Sequence, residues 1–301
     1  MEINKVKVTN CQGVILEGKY ARCNDETCVM FVHGLAGAFD NIAQTIAKLC
    51  SDNGISFLWS GTQSRNINKE LLKVVNSEIT SIPGGAAYEN FYNTMPDLDA
   101  WADFLYKENY KKIIFVGHCY GCNKLVYYLS NHNLEKCEGC VFISPSDSGN
   151  LYLDIKHEGL LEEAITNVKA NQKNKFLSKL IYGFCDMTSA AYIRFVFNPY
   201  LNNIPFKNPN GNFKMLNSIN KPIVSIIGTN DKALDNCSFE EAEKSLKNIC
   251  NNCKIGKYIV IKDAKHSFKG FEDDLYEATK KSLNYIQNYD LRKSDNKGLQ
   301  I

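Results

Sequence analysis

The chain has no long apolar run. No stretch reaches the roughly twenty consecutive apolar residues that a membrane-spanning helix needs. Its opening, MEINKVKVTN, also lacks the apolar run of a signal peptide, so a cytoplasmic protein is expected. Charge of one sign is equally scarce. The 35 Lys and Arg against 33 Asp and Glu leave a net +2, which gives no electrostatic reason to expect nucleic acid or a membrane as a partner. Histidine is limited to 5 residues, so few side chains can act as a base near neutral pH.

Cysteine, in contrast, is plentiful. The 12 residues include three C-x-x-C pairs: Cys119/Cys122, Cys137/Cys140 and Cys250/Cys253. Without an export signal, so many thiols point to a reducing compartment and not to a disulfide framework. A four-thiolate zinc site from the last two pairs is disfavoured by the long chain between them. Over its 301 residues, 44% hydrophobic and 23% charged, the chain can bury one large core or two modest ones.

The stretch from Lys112 to Leu129, KIIFVGHCYGCNKLVYYL, organises the rest. The run Ile113 to Val116 reads as a buried strand, and Cys122, Leu125, Val126 and Leu129 recur at helical spacing. Between them, Gly117-His118-Cys119-Tyr120-Gly121 has the G-x-nucleophile-x-G form of a sharp strand-to-helix turn. Cys119 holds the exposed central position, where unpaired N–H groups of the helix start favour an anion. A dithiol reading of Cys119 with Cys122 is disfavoured, because Cys122 belongs to the apolar stripe.

Ahead of this turn, Lys5 to Val8 and Val14 to Tyr20 read as strands of an antiparallel edge. Cys28 to Val32 is a continuous apolar run of the kind a central parallel strand shows, ending in His33-Gly34-Leu35-Ala36-Gly37. Such a turn can aim backbone N–H groups at a developing oxyanion, and Leu35 and Tyr120 are the pair expected to supply them. His33 is read as a prop for its own loop. Ile42, Ile46 and Leu49 mark a helix, Ile55 to Trp59 a strand, and Leu98, Trp101, Ala102 and Leu105 a second helix. The polar segment from Gly61 to Ala86 is expected to be mostly loop.

After the turn, Cys140 to Ser144 reads as a strand ending at Pro145-Ser146-Asp147. Strand-helix alternation then gives way to helical patterns rich in aromatic and aliphatic residues: Leu151, Tyr152, Leu160, Leu161, Phe176, Leu180, Tyr182, Phe184, Tyr192, Phe195 and Phe197. An insertion here is where a ligand-covering cap would sit, and most of these residues are expected to seal it to the body. Alternation resumes at Pro222 to Ile227, which runs into Gly228-Thr229-Asn230-Asp231. Ser238 and Glu241 form a capping box for a helix carrying Phe239, Ala242, Leu246 and Ile249. Tyr258 to Ile261 is the last strand, followed by Asp263-Ala264-Lys265-His266-Ser267-Phe268 and a helix using Leu275, Thr279, Leu283 and Ile286.

The candidates stand in the order nucleophile, acid, histidine: Cys119, Asp231, His266. With FVHGLAG, VGHCYG, IIGTND and DAKHSF, the sequence resembles the α/β-hydrolases over essentially its whole length. More narrowly, GGAAYENF and the long helix before GHCYGCNKLVYYL are similar to bacterial and fungal members related to siderophore esterases, with cysteine in place of serine.

The resemblance implies a mostly parallel twisted sheet flanked by helices. Residues 1–147 and 221–290 would form the core, 148–220 a helical cap and 291–301 a polar tail. It also implies that Cys119 attacks an acyl carbon, His266 moves the proton, and Asp231 holds the imidazole. Asp147, Asp235 and Asp263 compete with Asp231 for that role. His118 is expected to point elsewhere, and His132 and His157 carry no motif. The expected activity is hydrolysis of an ester or thioester through a thioester acyl-enzyme. Acyl transfer or cyclisation, and ligand binding with little catalysis, are the alternatives. The substrate would be a small acyl compound, free or carrier-bound, and the triad needs no metal or organic cofactor.

Overall fold

The structure is a computed structural model that describes residues 2–148, 159–205, 211–231, 239–252 and 256–289. Its centre follows from side-chain alternation inside unbroken apolar strands. β3 (Thr27–Val32) is buried along its whole length. Cys28, Met30 and Val32 enter one core, whereas Val29 and Phe31 enter the other. A strand apolar at every position is stable only when both faces of its sheet are covered.

Around β3 the strands run parallel in the order β10 (Gly256–Lys265), β9 (Ile223–Asn230), β8 (Cys137–Ile143), β7 (Lys112–His118), β3 and β4 (Ser56–Ser60). β2 (Val14–Ala21) pairs antiparallel with β4, and β1 (Asn4–Thr9) with β2. β5 (Lys69–Val75) also joins β2 and forms an antiparallel hairpin with β6 (Glu78–Gly84).

Two helix layers close the faces. α1 (Asn41–Asp52) contributes Ile42, Ile46 and Leu49 to the core that holds Phe31, Phe57 and Val116, together with Leu275, Leu283 and Ile286 of the last helix (Glu272–Gln287). On the other face lie α2 (Thr94–Lys107), α3 (Tyr120–Asn131) and the helix Phe239–Asn252. Trp101 of α2 is fully buried and donates its indole N–H to the Gly61 carbonyl at 3.0 Å. Burial of a side chain that large contributes about 3 kcal/mol. Among the described residues, no helix is long and apolar enough to cross a membrane.

Between β8 and β9 the described residues form α4 (Leu160–Lys169), α5 (Ser189–Val196) and α6 (Lys214–Ser218). Leu160, Ile181, Tyr192 and Phe195 join Ala86, Phe91 and Tyr120 in a third apolar cluster, and Cys119, Leu35 and Ala36 pack against it. Not every aromatic of this region seals it. Phe176, Leu180, Phe184 and Phe197 are exposed, with Phe176 edge-on to Tyr88 and Phe184 stacked on Tyr182. Leu151 and Tyr152 lie outside the described residues.

Two further expectations differ from the structure. Gly61 to Ala86 is not mostly loop, because β5 and β6 occupy its centre with Val75 opposite Glu78. Asn76 and Ser77 turn the corner with φ of 49° and 68°, the left-handed pair that a two-residue hairpin needs. The antiparallel edge expected of the first two strands is present, since β1 pairs antiparallel with β2 beyond the parallel strands, and β2 with β4 and β5. β10 continues past Ile261 to Lys265 through a register shift. Leu246 and Ile249 are buried as read, while the Ser238 half of the capping box lies outside the described residues.

Candidate active site

The turn after β7 is tight for a steric reason. A Cβ at Gly121 would lie 2.2 Å from the Val32 carbonyl oxygen, and one at Gly117 would lie 2.9 Å from the Cys122 nitrogen. Glycine at both places lets strand and helix close on each other. Cys119 between them takes φ 54° and ψ −125°, a backbone conformation that costs a non-glycine residue about 1–3 kcal/mol. Its N–H donates to the Ile143 carbonyl at 3.0 Å, and its carbonyl accepts from Cys122 at 2.9 Å. The side chain is thereby held at the carboxyl end of the sheet, at the start of α3.

Asp231 follows β9 and His266 follows β10, so both reach the same end of the sheet. The His266 Nδ1 lies 2.7 Å from the Asp231 Oδ1, and the carboxylate is buried. Burial works against an imidazolium here. The charge and hydrogen bond of Cys119, with the hydrogen bond and charge of Asp231, outweigh it and raise the His266 pKa well above the usual histidine value. The sequence candidates Cys119, His266 and Asp231 therefore meet at one place.

His118 does not point elsewhere. Its ring centroid lies 5.0 Å from that of His266, and its Nε2 donates to the His266 carbonyl at 3.2 Å. Burial, followed by the His266 charge, lowers its pKa to about 3, so it stays a neutral donor that fixes the loop.

The loop after β3 lies against Cys119. A Cβ on Gly34 would lie 3.0 Å from the Cys119 Cβ and 3.1 Å from the His118 carbonyl oxygen, a tight fit that glycine relieves, and 3.6 Å from the Cys119 Sγ, an ordinary contact. His33 is buried, and its Nε2 accepts from the Thr62 N–H at 3.1 Å. The other nitrogen, Nδ1, must then carry the proton and donate to the Gly34 carbonyl at 2.8 Å. This is the prop read from sequence. In a trans peptide the N–H opposes the C=O, so the Leu35 N–H points away from His33. Tyr120 is the first residue of α3, where N–H groups have no partner within the helix.

The other candidates stand apart from this arrangement. Asp263 is exposed with φ 60°, and its N–H binds the Thr229 hydroxyl at 2.8 Å. Asp147 is buried, and it is Asp231 that meets the imidazole. Asp235 and His157 lie outside the described residues. His132 sits at the far end of α3, on the Tyr128 carbonyl and 3.2 Å from Asp99. Cys122 is buried with its thiol on the Ile143 carbonyl, and burial and then the Cys119 charge raise its pKa. Among the described residues, no group of three or more His, Cys, Asp or Glu is placed to hold a metal ion.

Sequence reading missed Lys124. It is 2% exposed, although one turn into α3 a lysine reads as solvated. Tyr120 to Val126, Tyr128 and Leu129 are all buried except Tyr127, so α3 is covered nearly all round. The apolar residues on both sides of Asn123 and Lys124 were the available signal.

No family model matches the chain, and no curated protein matches it by sequence. Solved structures do match. The Pyrococcus furiosus esterase Pf2001 is 18% identical, over 95% of this chain and 91% of that one, with a TM-score of 0.61. The α/β hydrolase GrgF from Penicillium sp. sh18 is 14% identical over 96% and 99%, with a TM-score of 0.67. Est1E from Butyrivibrio proteoclasticus, with ferulic acid bound, is 12% identical over 92% and 97%, with a TM-score of 0.61. The sheet order, the helix layers and these likenesses over nearly whole chains agree that the protein has the α/β-hydrolase fold.

Proposed function

We propose that the protein is an acyl hydrolase, acting on an ester or thioester of a small acyl substrate through Cys119, His266 and Asp231. The observation that carries this reading is that one imidazole is held at 2.7 Å by a buried carboxylate and also meets the thiol of the elbow. Cys119 and Asp231 both favour an imidazolium at His266, the form that can protonate a leaving group.

In this reading the Cys119 sulfur forms a bond to the acyl carbon, and the carbonyl electrons move onto oxygen. The Leu35 and Tyr120 N–H groups stabilise that oxyanion, each typically lowering the barrier by about 3 kcal/mol. Collapse expels the leaving group, which takes its proton from His266. Water, deprotonated by the same ring, then attacks the thioester carbon; the C–S bond breaks, the acid leaves and the Cys119 sulfur is restored, while Asp231 keeps the imidazole in the working tautomer. The thiol also favours a second reading. A thioester acyl-enzyme is open to amines and thiols as well as to water, so transfer or cyclisation could use the same intermediate.

Intact-protein mass spectrometry with a panel of activated acyl esters and thioesters tests the proposal. The expected result is one acyl increment, mapped to Cys119, that is absent in Cys119→Ala and strongly slowed in His266→Ala. Its decay in water against added amine separates hydrolysis from transfer. No adduct and no turnover across the panel would leave ligand binding without catalysis as the better account.

A further inference from the structure

A buried polar chain links α3 to the loop beside Cys119. The Lys124 Nζ donates to the Ser64 Oγ at 2.5 Å and to the Thr62 Oγ1 at 3.5 Å, and the two hydroxyls lie 3.1 Å apart. Thr62 continues the chain through both its N–H and its Oγ1, each 3.1 Å from the His33 Nε2. His33 in turn holds the Gly34 carbonyl. All four side chains are buried: Lys124 at 2%, Ser64 at 5%, Thr62 at 2% and His33 at 1% exposure. The counter-charge is Glu89, 3.8 Å from the Lys124 Nζ and also buried.

Such an arrangement is costly unless its members satisfy one another. Nothing in the acyl chemistry above calls for a lysine at this depth. Its placement, however, joins two elements that must stay in register. α3 begins at Tyr120, which supplies one oxyanion donor, and the Gly34–Leu35 peptide supplies the other. The ammonium also disfavours a proton on the His33 Nε2, which keeps the other nitrogen a donor to Gly34.

We infer that Lys124, acting through Ser64, Thr62 and His33, is a positioning residue that aims the Leu35 N–H at the oxyanion formed on Cys119. The inference rests on the proposed acyl chemistry and adds to it a residue that touches neither substrate nor nucleophile. It predicts a selective defect. Alkylation of a thiolate by iodoacetamide builds no oxyanion, whereas acylation by p-nitrophenyl acetate does.

The experiment compares these two rates at Cys119 in the full chain, for wild type, Lys124→Met and Ser64→Ala. Peptide mapping is needed because Cys11 and Cys23 are exposed, and Cys119 is only partly so. Lys124→Met is expected to alkylate within about twofold of wild type and to acylate about 10- to 100-fold more slowly, with Ser64→Ala between the two. Acylation at the wild-type rate in both variants overturns the inference. So does a parallel fall of both reactions, which marks a general loss of structure. If Lys124→Met does not fold, Ser64→Ala decides by the same ratio. A wild-type protein that alkylates but is never acylated removes the acyl chemistry itself, and this inference with it, before any variant is compared.

Discussion

At the residue scale, His33 ties stability to pH. Burial above all, with the nearby charge of Lys124, lowers its folded pKa to about 3, whereas an unfolded histidine takes a proton near pH 6.5. Between these values the unfolded chain binds about one more proton at this position. The contribution is therefore complete above about pH 6.5 and is lost as pH falls toward 3, at up to about 1.4 kcal/mol per pH unit. Urea midpoints from pH 5 to 7.5 should show this fall, and His33→Asn should flatten the slope by about one proton. An unchanged slope in the variant would mean that the ring protonates in place.

The catalytic candidates were legible because each follows a strand of simple pattern. Cys119 ends the run from Ile113, Asp231 the run from Ile223, and His266 the segment from Tyr258. What their neighbours do was not legible. His118 looked incidental because a residue beside a nucleophile carries no period, and only the fold brings its ring to His266. Lys124 was hidden for a related reason: its partners Thr62 and Ser64 sit in a polar stretch that reads as loop, and only packing puts them inside.

At the element scale, apolar period found β3, β7, β8 and β9 together with α1, α2 and α3, since each buries a continuous face. The β5–β6 hairpin escaped because most of its residues are exposed, with Leu71 the chief buried anchor, and because Asn76-Ser77 is a weaker turn signal than Asn-Gly. The same turn gives a prediction. Ser77 holds φ 68°, where a side chain is strained and glycine is not. Ser77→Gly is expected to stabilise the protein by about 0.5–1 kcal/mol, read as a higher urea midpoint at unchanged slope. A lower midpoint would mean that the serine side chain contributes more than its backbone strain costs.

At the scale of the whole molecule, the parallel order β10-β9-β8-β7-β3-β4 places Asp231 and His266 after the two strands at one flank, with Cys119 nearer the middle. This has a consequence for how the chain acquires its chemistry. Contacts between strands far apart in sequence form late, after the loop entropy between them has been lost. Trp59 in β4 and Trp101 in α2 lie toward the opposite flank, so their fluorescence follows one half of the sheet and the reactivity of Cys119 follows the other. If Cys119 acts as the proposed nucleophile, pulsed alkylation during refolding should show its native alkylation rate only once the last two strands dock, together with or after the fluorescence change. A fully activated thiol ahead of that change would place the flank strands first. On the acyl-hydrolase proposal, the thiol would serve as an internal chronometer for the final closure of the sheet.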